Sequence, residues 1–187
     1  MLPFTGSQSR SPGAARGVPW AVSTYALYYR TDLLSEAEQS VPETPEALVE
    51  VAEALAFPPK HFGLGLPRPM AGGERLLHAL ARATGGVSEE ADAEEDADRE
   101  RDDPDYASAL ELLVELQSRG ALQPETLTWG DAELLELFAE GRLAMLIAPI
   151  SAARTLRAME EPPEWAAAPL PMADGGGGTL SVHWLVA

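Results

Sequence analysis

Gly17-Val18-Pro19-Trp20-Ala21-Val22-Ser23-Thr24-Tyr25-Ala26-Leu27-Tyr28-Tyr29-Arg30-Thr31-Asp32 is the stretch that decides the fold. From 18 to 30 its residues are largely apolar, β-branched or aromatic, which suits a strand, and Pro19 can start a strand but not continue one. A strand is predicted through 25–29. Downstream, Thr44 offers an N-cap oxygen and Pro45 falls where its missing N–H costs nothing. Leu48, Val51, Ala52 and Leu55 then recur at helical spacing, so a helix should run to about Phe57, where Pro58-Pro59 cannot extend it.

The same alternation continues outward. Residues 62–66 form a short apolar run ending at Pro67, a buried strand emptying into a loop. Residues 74–83 carry Leu76, Leu77, Leu80 and Ala81 on one helical face and meet a stop at Gly85-Gly86. Tyr106, Ala109, Leu110, Leu113 and Leu116 mark an amphipathic helix ended by Gly120. Trp129-Gly130-Asp131 opens a further helix through Leu134, Leu135 and Phe138, with acids in its first turn and Gly141 at its stop. An apolar strand over 143–148, a helix from a Ser151 cap to Met159, and strands over 165–170 and 179–186 complete the series. Strands alternating with helices predict an α/β layer fold with a central sheet flanked by helices.

Composition excludes several functions. With 13 Lys and Arg against 30 Asp and Glu, the net charge of −17 repels nucleic acid and anionic membranes. About half of that excess lies in residues 89–105, which hold eleven acids and two arginines and read as a solvated acidic loop, 88–105. That run lacks the alternating ligand spacing of a calcium loop. Without cysteine the chain forms neither disulfides nor thiolate zinc sites. Residues 1–16, rich in Ser, Gly, Pro, Ala and Arg, read as a disordered lead-in without the apolar core of a signal peptide.

Catalytic and cofactor signals are absent from the pattern. His61, His78 and His183 have no spaced partner for a metal or a triad, and the glycine run 175–178 has no following Lys-Ser/Thr, so it reads as a flexible connector. Asp131 and Glu133 could be imagined as the paired acids of a glycoside-acting hydrolase. Residues two apart on a helix do not face each other, however, and first-turn acids commonly serve the helix dipole. Neither a metal nor a cofactor is expected. The aromatics Trp20, Tyr25, Trp129 and Trp184 stand beside loops and polar residues; a sugar, with one C–H face and a belt of hydroxyls, needs such flat surfaces with a few fixed polar groups.

Five ordered pieces carry a family resemblance: Val18-Pro19 with Tyr28-Tyr29-Arg30-Thr31-Asp32-Leu33-Leu34; Pro42-Glu43-Thr44-Pro45-Glu46-Ala47-Leu48; Phe62-Gly63-Leu64 with Gly85-Gly86 downstream; Phe138-Ala139-Glu140-Gly141-Arg142-Leu143-Ala144-Met145; and Ala168-Pro169-Leu170-Pro171. Together they resemble extracellular solute-binding proteins of the sugar-binding type, which serve ABC importers. The resemblance implies one lobe of a periplasmic-binding-protein-like (type II) α/β fold over 17–187, with crossover strands near 18–30 and 179–187. It further implies a small-molecule ligand, a carbohydrate or similar solute, an ABC permease as partner, and an extracytoplasmic location.

Carried over by position, the family's ligand contacts fall on Ser23, Thr24 and Tyr25, on Pro67 and Arg68, and on Ser181, Val182, His183 and Trp184; Trp20 and Trp129 lie beside them. Three departures stand out. Ala148-Pro149-Ile150-Ser151 replaces the family's Asp-Gly-Pro-Trp, removing a stacking aromatic, and the acidic run replaces a short strand pair. The family's first lobe and closing C-terminal helices have no counterpart, which implies a fragment. A non-binding remnant or interaction protein is the alternative.

Overall fold

A computed structural model describes residues 17–67, 73–85, 106–122, 130–174, 176, 178 and 181–186, with 17–20, 73–74 and 181–186 as backbone. Along the chain the elements are β1 (Gly17–Ser23), β2 (Tyr25–Arg30), α1 (Thr31–Glu36), α2 (Pro45–Ala54), β3 (Phe62–Gly65), α3 (Gly73–Ala83), α4 (Ala107–Ser118), α5 (Asp131–Ala139), β4 (Leu143–Pro149), α6 (Ala152–Arg157), β5 (Trp165–Ala168) and β6 (Ser181–Val186). The expected lead-in 1–16 and the acidic loop 88–105 lie outside the described residues.

Two units are present, each with its own sheet. The smaller is an antiparallel ribbon of β1 and β6, paired from Gly17 with Val186 to Ser23 with Ser181. Its register breaks between Pro19 and Ala21, beside the residue that has no N–H to donate. The larger unit, residues 24–179, holds a four-stranded sheet in the order β3-β4-β2-β5. Here β3 runs parallel to β4, and β2 is antiparallel to both β4 and β5.

The sequence of β4 explains its central place. Leu143 to Ala148 are all buried, the continuous apolar run of a strand covered on both faces. Met145 and Ile147 enter one core with Leu48 and Ala52 of α2, Leu80 of α3 and Leu116 of α4. Leu143, Leu146 and Ala148 enter the other with Leu134 and Phe138 of α5 and Leu156 of α6. The sheet is thus sandwiched between helices, and each such leucine withdrawn from water contributes roughly 2 kcal/mol.

Two of the sequence motifs have a visible packing cause. At Gly63 a Cβ would stand 1.8 Å from the Ala52 carbonyl oxygen, so only glycine lets β3 approach α2 this closely. Arg30, at the end of β2, donates through Nε and Nη2 to the Asp32 carboxylate at 2.9 and 2.5 Å. Its Nη1 donates to the Phe138 and Ala139 carbonyls at 3.2 Å each, capping the C-terminus of α5. Gly141, at φ 74°, turns the chain out of that helix directly beside the guanidinium.

Several expectations need correction in detail. The run 18–30 is two strands separated at Thr24, because its halves pair in different sheets. The six-residue α1 was not expected; it is too short to show a period, and Arg30 at its N-cap supplies no side-chain cap. Thr44 Oγ1 does accept from the Ala47 N–H at 3.2 Å, but α2 ends at Ala54, before Phe57, which pairs back with His61. Ser151 precedes α6 with helical φ and ψ and makes no side-chain cap bond, and α6 stops at Arg157. In the glycine run, Gly176 donates to the Ala173 carbonyl at 2.8 Å and lies against the Ala83 carbonyl, so this member is packed.

Candidate functional site

The parallel strands β3 and β4 both end at the same edge of the sheet, and α5 begins there. In α/β sheets the crevice beyond the carboxyl ends of strands is where ligands bind, because loops and helix N-termini converge around it. A cleft of about 540 Å3 occupies this position. Its walls are Pro67 after β3, Asp131 and Leu134 of α5, Leu146 to Pro149 at the end of β4, and Ser151, Ala152, Arg154 and Thr155 at and along α6.

Local sequence accounts for this layout. Gly130 starts α5 in extended conformation, and the Glu133 carboxylate accepts its N–H at 3.0 Å, which fixes the helix start at the cleft. Pro149 ends β4 and sits opposite Tyr25 in the register of β2. The Ile150 N–H donates to the Thr24 carbonyl at 2.9 Å, tying the segment after β4 to the start of β2. Tyr28 reinforces the same corner, its hydroxyl donating to the Pro149 carbonyl at 3.1 Å. The Tyr25 phenol is pushed above its usual value by burial; the Arg75 charge opposes this and the Asp131 carboxylate adds to it. Tyr25 is therefore a neutral phenol at physiological pH, able to donate and to accept.

A larger, shallower hollow of about 800 Å3 lies at the opposite end of β2, bordered by Thr31, Arg157 and Pro162 to Ala167. Volume alone would favour it. Its aromatic, however, is already engaged: the Arg157 guanidinium lies 5.5 Å from the Trp165 ring centre, and Trp165 packs on Tyr28 at 5.6 Å. The convergence of loops and strand ends favours the smaller cleft.

The residues singled out from sequence fall into three groups. Thr24, Tyr25 and Pro67 belong to the larger unit, where buried Pro67 lines the cleft and Tyr25 pairs with Pro149 of its wall. Ser23, Trp20, Ser181, Val182, His183 and Trp184 lie on the β1–β6 ribbon, which places Ser23 opposite Ser181, Ala21 opposite His183 and Pro19 opposite Trp184. Arg68 and Trp129 lie outside the described residues. Sequence reasoning missed Ser151, Arg154 and Thr155. Their signal was positional: they follow the apolar strand 143–148, at whose end a crevice forms. Among the described residues no group of three or more acids or histidines could hold a metal, and no helix is long and apolar enough to cross a membrane.

The family model described as bacterial extracellular solute-binding protein matches residues 6–187. No curated protein matches the sequence significantly. Among solved structures, maltose-bound MalE3 of T. maritima is 25% identical with a TM-score of 0.72, covering 90% of this chain and 44% of its own. The GacH receptor of Streptomyces glaucescens, solved unliganded and with acarbose, is 22% identical with a TM-score of 0.71 over 98% of this chain and 46% of its own. The chain thus spans less than half the length of either.

Proposed function

This chain belongs to the bacterial extracellular solute-binding proteins, and from that premise we propose that it binds a carbohydrate or similar small solute outside the cytoplasm for delivery to an ABC importer. The observation that carries the proposal is the cleft at the carboxyl ends of β3 and β4, where Pro67 and the Tyr25–Pro149 pair converge. Its volume of about 540 Å3 falls within the range of small-molecule sites. Maltose in MalE3 supports the ligand class.

The chain acts by binding and not by catalysis. Glu133 is taken up by the α5 start, and among the described residues lining the cleft Asp131 has no second carboxylate to form the acid pair of glycoside hydrolysis. One wall supplies only part of the contacts that a two-lobed protein closes around its ligand. On sequence grounds Trp20, Ser23, Ser181, His183 and Trp184 of the ribbon, and Arg68 and Trp129, are proposed as further ligand contacts. A permease then distinguishes closed from open forms.

A thermal melt of the 187-residue chain against mono- and oligosaccharides tests this. At 100 times its dissociation constant a ligand stabilises by about 2.7 kcal/mol, raising Tm by about 5–10 °C in a chain of this size. A rise confined to one sugar class supports the proposal. A cooperative melt indifferent to every sugar counts against binding by this chain alone and favours the alternative of a non-binding remnant or interaction protein.

A further inference from the structure

The cleft is lined by two charged side chains of opposite sign that, among the described residues, make no hydrogen bond or ion pair. Asp131 lies in the first turn of α5 and Arg154 on α6; both are exposed and both line the cleft. Among the described residues neither side chain has a hydrogen bond or ion pair, and no ion pair joins the two. The neighbours that could have done similar work are committed elsewhere. Glu133 accepts the Gly130 N–H at the start of α5, and Arg157 is engaged with the Trp165 ring.

Leu134, Ala148 and Ala152 give the same lining apolar surface, beside the hydroxyl residues Ser151 and Thr155. A carboxylate accepts hydrogen bonds from hydroxyls, a guanidinium donates to ring and hydroxyl oxygens, and an apolar floor takes a C–H face. That combination complements a neutral polyhydroxylated ring. A ligand with net charge of either sign is attracted by one residue and repelled by the other.

We propose that Asp131 and Arg154 are the specificity-determining residues of this cleft, selecting an uncharged oligosaccharide long enough to touch α5 and α6 together. The inference rests on the carbohydrate reading of the cleft and adds to it the excluded classes, uronates, sugar phosphates and amino sugars.

Isothermal titration of the full chain with maltotriose, xylotriose and raffinose, and with trigalacturonate and the trimer of glucosamine as charged counterparts, tests it. The best neutral trisaccharide binds at least about tenfold more tightly than either charged one. D131N and R154Q each weaken it about tenfold, the scale of one lost charge-assisted hydrogen bond. E136Q, on α5 outside the cleft lining, leaves affinity unchanged. Because both residues are exposed, melting temperatures of the variants should match wild type. Wild-type binding that D131N and R154Q leave within twofold overturns the inference while the carbohydrate reading stands, as does tighter binding of a charged trimer. Absence of binding by any trisaccharide overturns both.

Discussion

Replacing Arg30 by methionine removes a group that joins three parts of the larger unit while keeping the unbranched stem. Its side chain is 12% exposed, and that of its partner Asp32 38%. The two halves of its role can be weighed separately. The Asp32 pair is bidentate but partly solvated, and exposed pairs contribute about 0–1 kcal/mol, so this half is near the upper end. The α5 half is larger. The Phe138 carbonyl retains the Gly141 N–H at 3.1 Å, but the Ala139 carbonyl loses a charged donor in a half-buried place. An orphaned acceptor of this kind costs about 1–3 kcal/mol. The sum is about 2–4 kcal/mol, or a fall in Tm of about 5–15 °C. Urea denaturation of R30M, D32N and the double variant separates the terms, with D32N expected to cost no more than about 1 kcal/mol. R30M within 0.5 kcal/mol of wild type, taking ~0.5 as the limit for neutral surface changes, refutes the reasoning. So does D32N costing as much as R30M, because the ion pair would then account for the whole effect.

Other outcomes follow from the same contacts. G63A places a methyl 1.8 Å from the Ala52 carbonyl oxygen and should cost at least about 3 kcal/mol or prevent folding, since backbone and not a flexible side chain must yield; a soluble variant with wild-type urea midpoint contradicts this. The Asp32 carboxyl is held below its ordinary 3.8, first by the Arg30 hydrogen bonds. A depressed folded value means its contribution is complete above the unfolded value and is lost as pH falls through the folded one. The stability gap between wild type and D32N should therefore be constant from neutral pH to about pH 5 and close below about pH 4; a gap that persists at the acid end refutes the assignment. Tyr28, buried and raised above 10.0 chiefly by desolvation, contributes fully below that value and loses its contribution as pH rises past it. Y28F should melt lower at neutral pH and lose less stability than wild type in alkali, as chemical denaturation across that range will show.

The layer fold was legible because its signals are local. Thr44 with Pro45 starts α2, Gly141 stops α5, and the six apolar residues from Leu143 to Ala148 declare a strand covered on both faces. The division at Thr24 was hidden because strand pairing depends on residues more than a hundred positions away, Ser181 for Ser23 and Pro149 for Tyr25. Gly63 and Arg30 stood inside recognised motifs, yet their reasons, a backbone contact with Ala52 and a cap on a distant helix, exist only after folding. Of the residues singled out from sequence, Pro67 lines the cleft and Tyr25 pairs with Pro149 of its wall. Arg154, which also lines the cleft, was not singled out because an arginine on a six-residue helix has no distinctive spacing.

The central claim is that the ligand meets the larger unit at the carboxyl ends of β3 and β4. Backbone amide NMR of the isotope-labelled chain, titrated with a neutral trisaccharide, tests it most directly. The account predicts saturable shifts concentrated at Tyr25, Asp131, Ser151 and Arg154. Shifts centred instead on Arg157 and Trp165, or spectra unchanged by any sugar, would contradict it.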